Sequence, residues 1–141
     1  MKNNKFCQGQ SIVEVLFAIG VVSICLLALI VVITAAVSNT RFSKSYNLAT
    51  KYANEGVEMA RKERDRNNWT DFIAAYQNDV GLDDSLTWGD CGSANVDSIY
   101  ERCINFFQAG EVVTVTATVS WTDSGKDHSV VATTVLSKWN N

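Results

Sequence analysis

The chain contains no proline. With that residue missing, nothing in the sequence forces a long helix to break. Histidine is nearly as scarce. His128 is the only one, and no Cys-x-x-Cys pair exists. That excludes the usual zinc ligand sets, and it leaves no partner for a Cys–His or Ser–His nucleophile pair. Charge is missing from one long stretch: the 26 residues from Val15 to Thr40 include no Asp, Glu, Lys, Arg or His. A basic surface is missing as well. From Ser38 onward 10 Lys and Arg stand against 14 Asp and Glu, a net charge of −4. Phosphate binding needs a basic face, so nucleic acid is not expected as a partner.

The uncharged run dominates what remains. As a helix it reaches about 39 Å at 1.5 Å per residue. A hydrocarbon core is about 30 Å thick, so the run is long enough to cross it with some tilt. Glu14 opens this run, and a carboxylate there needs a reason. At a helix centre an acidic residue costs on the order of 3 kcal/mol, less near the interface. Gly9-Gln10-Ser11-Ile12-Val13-Glu14 combines a small residue, a short polar step and that lone glutamate. Together they point to a signal for cleavage and assembly. Lys2 and Lys5 precede the span and predict that its amino-terminal end stays in the cytoplasm, although Arg41 and Lys44 follow on the other side. An ordinary secretory signal cut near Thr34-Ala35-Ala36 is the alternative. The apolar stretch is longer than such a signal needs, and it carries Glu14 near its start. Gly20 has no second glycine four residues away, so the Gly-x-x-x-Gly pairing motif is absent.

Helical character continues past the span. From Ser38 to Arg66 only Gly56 lowers helix propensity. Ala49, Ala53, Gly56 and Ala60 fall on one stripe that allows a sheet or a second helix to approach closely. Lys51, Glu55, Glu58 and Lys62 form a charged stripe elsewhere. One helix from about Ser11 to about Asp65 is therefore expected. Trp69, Phe72, Ile73 and Tyr76 recur at helical spacing and predict a second, short helix. Residues 81–96 are rich in Gly, Asp, Ser and Asn and read as loop. The period then becomes two. Val113, Val115, Ala117, Val119 and Trp121 alternate with Thr and Ser, which predicts a strand with one buried face. Asp123-Ser124-Gly125-Lys126 reads as a hairpin turn, Ser129 to Leu136 as the returning strand and Tyr100 to Gln108 as a third. The fold class is α+β: one long helix, then an antiparallel sheet of about three strands.

The cysteines have different settings. Cys7 precedes the cleavage signal, and Cys25 lies in the span as a small hydrophobe. Cys91 and Cys103 fall in the part expected outside the cytoplasm, where a disulfide between them would stabilise by about 3 kcal/mol; the alternative is two free thiols. Asp79, Asp83, Asp84 and Asp90 share a loop without a calcium signature, so a solvated acidic loop is expected. His128 sits beside the hairpin turn and is expected to be exposed.

The run Lys5-Phe6-Cys7-Gln8-Gly9-Gln10-Ser11-Ile12-Val13-Glu14-Val15-Leu16 resembles the start of type IV prepilins and pilin-like proteins. These carry a short basic leader ending in glycine, followed by a mature chain whose fifth residue is glutamate. The resemblance implies cleavage by a prepilin peptidase between Gly9 and Gln10, methylation of the new amino terminus at Gln10, and Glu14 as the assembly carboxylate. It implies a pilin-like fold with a leader over residues 1–9, a membrane and assembly segment over 10–40 and an extracytoplasmic domain over 41–141. The tail from Val115 through Trp121 to Trp139 is similar to minor-pilin-like members. Gln10 stands where the family usually has phenylalanine, and Val31 where major pilins often carry proline. The second difference favours a minor pilin or a secretion pseudopilin. The implied partners are the peptidase, other pilins or pseudopilins in a helical filament, the inner-membrane assembly platform and the membrane itself. No cofactor and no metal are implied, and the chain would be a substrate of an enzyme without being one. Two rival readings stand beside this one. The first is a single-pass, membrane-anchored binding module that never polymerises. The second is a secreted enzyme or inhibitor cut near Ala36.

Overall fold

A computed structural model describes residues 8–76, 78–92 and 95–138; of residues 8–11 and Asn95 only the backbone is described. Lys2, Lys5, Cys7 and Trp139 lie outside the described residues. The chain divides into two compact units, Met1–Arg41 and Phe42–Asn141.

The helix α1 covers Gln8–Arg66. In the first unit its side chains are exposed on every side from Ile12 onward. A helix that is apolar all round and covered by nothing is suited to lipid. Among the described residues it is the one helix long and apolar enough to cross a membrane.

In the second unit α1 becomes one layer of a two-layer α+β domain. Its small stripe is the contact surface. Ala49, Ala53 and Ala60 are fully covered. A Cβ placed on Gly56 would lie 3.0 Å from Ile104 Cδ1 and 3.3 Å from Ala117 Cβ. Small residues thus let the helix sit directly on the sheet. The opposing layer is antiparallel, with strands β1 (Val80–Leu82), β2 (Trp88–Asp90), β3 (Asn95–Val96), β4 (Tyr100–Ala109), β5 (Val112–Asp123) and β6 (Lys126–Ser137). The order is β2-β1-β4-β5-β6, with β3 paired to the start of β4. Alternation in β5 places Val113, Val115, Ala117, Val119 and Trp121 on the buried face, as period two requires.

The core runs in two clusters along the helix. Ala49 and Ala53 meet Tyr100, Val119, Trp121 and Val130. Val57 and Ala60 meet Phe106, Val113, Val115 and Leu136. The helix α2 (Trp69–Ala75) caps the second cluster by burying Phe72.

The sheet departs from the expected three strands: five lie on its main path. The extra strands come from the segment read as loop. β1 and β2 are three residues each and β3 is two, too short to show a period of their own. His128 is also not freely exposed. It stacks on Trp121 at 5.3 Å and meets the edge of Phe42 at 5.1 Å, which half-buries it.

Candidate functional site

The expected functional residues gather at the start of α1. Gly9 and Gln10 are helical in backbone, and the Gln10 side chain lies outside what is described. Glu14 is exposed. The salt bridges among the described residues are Lys51–Glu55, Arg61–Glu58, Arg64–Asp65, Arg66–Glu63 and Arg102–Glu55, so none of them includes Glu14.

The hydroxyls of this segment are handled differently. Ser23, Thr34 and Thr40 each donate to the carbonyl four residues back, Ile19, Ile30 and Ala36, at 2.8 to 2.9 Å. Such bonds satisfy a hydroxyl inside its own helix, which matters where no water is present. Glu14 has no equivalent among the described residues. Around it Ile12, Val13, Val15, Leu16 and Phe17 are all more than half exposed. The segment therefore presents a largely apolar surface carrying one charged group.

In the second unit the polar centre is Arg102, which is 1% exposed. It faces inward on β4 between Tyr100 and Ile104, also buried. The register β1–β4 runs Val80↔Ile104 and Gly81↔Cys103 and stops there. One step further along, Arg102 Nε donates to the carbonyl of Leu82 at 2.9 Å. Nη2 donates to the carbonyl of Asp83 at 2.7 Å, and Nη1 to that of Tyr52 at 3.2 Å. Glu55 is the nearest carboxylate, 3.5 Å away with its side chain 41% exposed. Burial lowers the Arg102 pKa, and Glu55 opposes that shift. The guanidinium thus continues the ladder where the strands stop pairing, and ties α1, β1 and β4 together. Sequence reasoning passed over it. The available signal was a charged residue at an inward position of a strand with period two.

Cys91 and Cys103 form the disulfide, with a Cα–Cα distance of 5.2 Å. It fastens the end of the β1–β2 hairpin to β4. The acidic loop is used for turns. Asp83 Oδ1 accepts from the Thr87 amide at 2.8 Å, and Asp84 Oδ2 from the Asp97 amide at 2.8 Å. No group of three or more His, Cys, Asp or Glu suited to a metal occurs among the described residues.

Beside α2, Glu63 is buried and contacts Arg66 at 3.4 Å and the Asn67 amide at 3.2 Å. Tyr76 packs on Phe106 and Trp88. Burial, reinforced by Glu63, pushes the Tyr76 phenol up to about 12.

Comparison with known protein families, characterised proteins and solved structures finds no match. The long apolar helix with an antiparallel sheet packed on its second half is compatible with a pilin-like fold.

Proposed function

We propose that the chain is a structural subunit of a type IV pilin-like filament, of the minor pilin or pseudopilin kind. It is made as a single-pass precursor with its amino terminus in the cytoplasm and its sheet domain outside. A prepilin peptidase cuts after Gly9, and Gln10 becomes the methylated terminus. The first part of α1 holds the subunit in the membrane and later packs against its neighbours in the filament. The chain catalyses nothing itself.

The observation that carries this reading is Glu14, an exposed carboxylate at the start of a helix surface that is otherwise uncharged as far as Val37. In lipid an ionised carboxylate needs a cation. The amine released at Gln10 by cleavage, on an adjacent subunit, supplies one. The hydroxyls in the same segment are already satisfied, so this one charge selects where a neighbour binds.

Two measurements test the proposal. Mass spectrometry of the mature protein should find Gln10 first when a prepilin peptidase is present and Met1 first when it is absent. Retention of Met1 in both cases leaves the anchored, non-polymerising module as the better reading. Glu14→Ala should insert and be cleaved normally yet enter filaments poorly. Full incorporation of that variant refutes the role given to Glu14.

A further inference from the structure

The strand β6 is an uncovered edge of the sheet: it pairs with β5 on one side and ends the strand order on the other. Natural sheets blunt such edges with short strands, bulges, proline or mid-strand lysine. β6 has none of these. It is 12 residues long, its register with β5 is unbroken, and residues 129–137 hold no charge and no proline.

The hairpin turn tells which backbone groups are open. Asp123 pairs with Lys126, and both residues between them have positive φ, Ser124 at 52° and Gly125 at 75°. That is a two-residue turn of type I′, whose flanking residues exchange both hydrogen bonds. Alternating from there, Val130, Ala132, Thr134 and Leu136 bond to β5. Ser129, Val131, Thr133, Val135 and Ser137 turn their N–H and C=O groups to the open side. The side chains of these five are also exposed.

Read along the strand, the five are Ser, Val, Thr, Val, Ser. The order is the same in both directions about Thr133. A second β6 laid antiparallel, with a two-fold axis at Thr133, therefore meets its own pattern. Val131 falls opposite Val135 twice, Thr133 opposite Thr133, and Ser129 opposite Ser137 twice. β-branched pairs and Thr–Thr pairs are favourable across strands. Lys126, Asp127 and Lys138 stay outside the paired run.

We propose that β6 binds β6 of a second copy of this chain in that register, joining the two sheets into one. Five opposed residue pairs exchange two hydrogen bonds each. The helices leave room for it. At Gly56 α1 lies over Ile104 on β4 and Ala117 on β5, and the long side chain of Arg61 reaches out to Thr134 on β6 by a hydrogen bond of 2.9 Å. From β5 of one copy to β5 of the other is three strand spacings, about 14 Å, more than the 8–10 Å at which helices touch. Residues 49–60 of α1 run in the direction of β6, from Val130 to Leu136, so the two-fold sets the two helices antiparallel. The contact therefore joins copies that do not share a parallel bundle. It is a property of the sheet domain and is independent of the function proposed above.

Disulfide trapping tests the register in the full chain in detergent micelles, with Cys7 and Cys25 replaced by serine. Opposed residues at a hydrogen-bonded pair lie at a distance a disulfide accepts. Thr133→Cys should cross-link to itself on mild oxidation. Ser129→Cys should cross-link efficiently only when mixed with Ser137→Cys. Ser124→Cys, at the turn, sets the level of random collision. Thr133→Lys, on an exposed position, should move the protein from dimer to monomer mass without changing its circular dichroism. Trapping of Thr133→Cys no better than of Ser124→Cys overturns the proposal. So does an unchanged mass for Thr133→Lys.

Discussion

Replacing Arg102 should cost the domain far more than replacing the carboxylate beside it. Arg102→Ala removes the donor from three carbonyls. The carbonyl of Tyr52 belongs to α1 and keeps its helical partner. That of Asp83 keeps the Leu86 amide, which donates to it at 3.1 Å. That of Leu82 sits where the β1–β4 ladder has ended and loses its donor. A buried acceptor left without a donor costs about 1–3 kcal/mol, and the lost stem adds a cavity term. The expected total is about 2–4 kcal/mol. For a domain of this size it lowers Tm by roughly 10–30 °C. Glu55→Ala should cost less than about 1 kcal/mol, because that carboxylate is 41% exposed and 3.5 Å away. Arg102→Met separates charge from hydrogen bonding. It fills most of the volume and removes the buried charge, yet still leaves the Leu82 carbonyl bare, so it should remain destabilising. The assay is thermal and denaturant unfolding of the full chain in micelles, followed by fluorescence of Trp88 and Trp121. Equal losses for Glu55→Ala and Arg102→Ala would show that the ion pair, not the carbonyls, holds the arginine. A neutral Arg102→Met would show that the Leu82 carbonyl finds another partner.

Three more outcomes follow from the geometry. Reducing Cys91–Cys103, which closes a loop with a sequence separation of 12, should lower stability by about 3 kcal/mol, read as a shifted denaturant midpoint; no shift would mean the short strands hold the hairpin unaided. Gly56→Val should destabilise by about 1–3 kcal/mol through overpacking against Ile104 and Ala117, and an unaltered melting curve would place the helix further from the sheet. The raised Tyr76 pKa gives a pH effect of defined sign. The neutral phenol is favoured in the folded state, so its contribution is complete below pH 10 and fades as pH rises towards about 12. Tyr76→Phe should flatten that part of the stability curve, and an equally steep loss in the variant would refute the assignment.

Much of this architecture can be read from the residues. The absence of proline and the long uncharged run predict a helix from about Ser11 to about Asp65, and it covers Gln8–Arg66. Ala49, Ala53, Gly56 and Ala60 mark the face that meets the sheet. Strands β4, β5 and β6 are long enough to repeat their period several times. The short strands are different. β1, β2 and β3 have no room for a pattern, and what holds them is distant in sequence: pairing with β4, the bridge to Cys103 and the guanidinium of Arg102. His128 departs from its expected exposure for the same reason. Nothing near it in sequence announces that Phe42 lies against its ring. The disulfide could be anticipated from compartment and spacing. Arg102 needed one further step, asking what a charged residue was doing on an inward-facing strand position.

The covered alanine stripe of α1 decides where a neighbour can still gain anything by touching this helix. Ala49, Ala53 and Ala60 have already spent their surface on the chain's own sheet. The greasy side chains from Ile12 to Val37 have spent none. A neighbour that packs on the bare surface of this helix therefore finds it at the amino-terminal end, away from the sheet edge at β6. Changes among the outward-facing residues of the folded half leave that surface untouched, so the two halves of the helix can be altered separately.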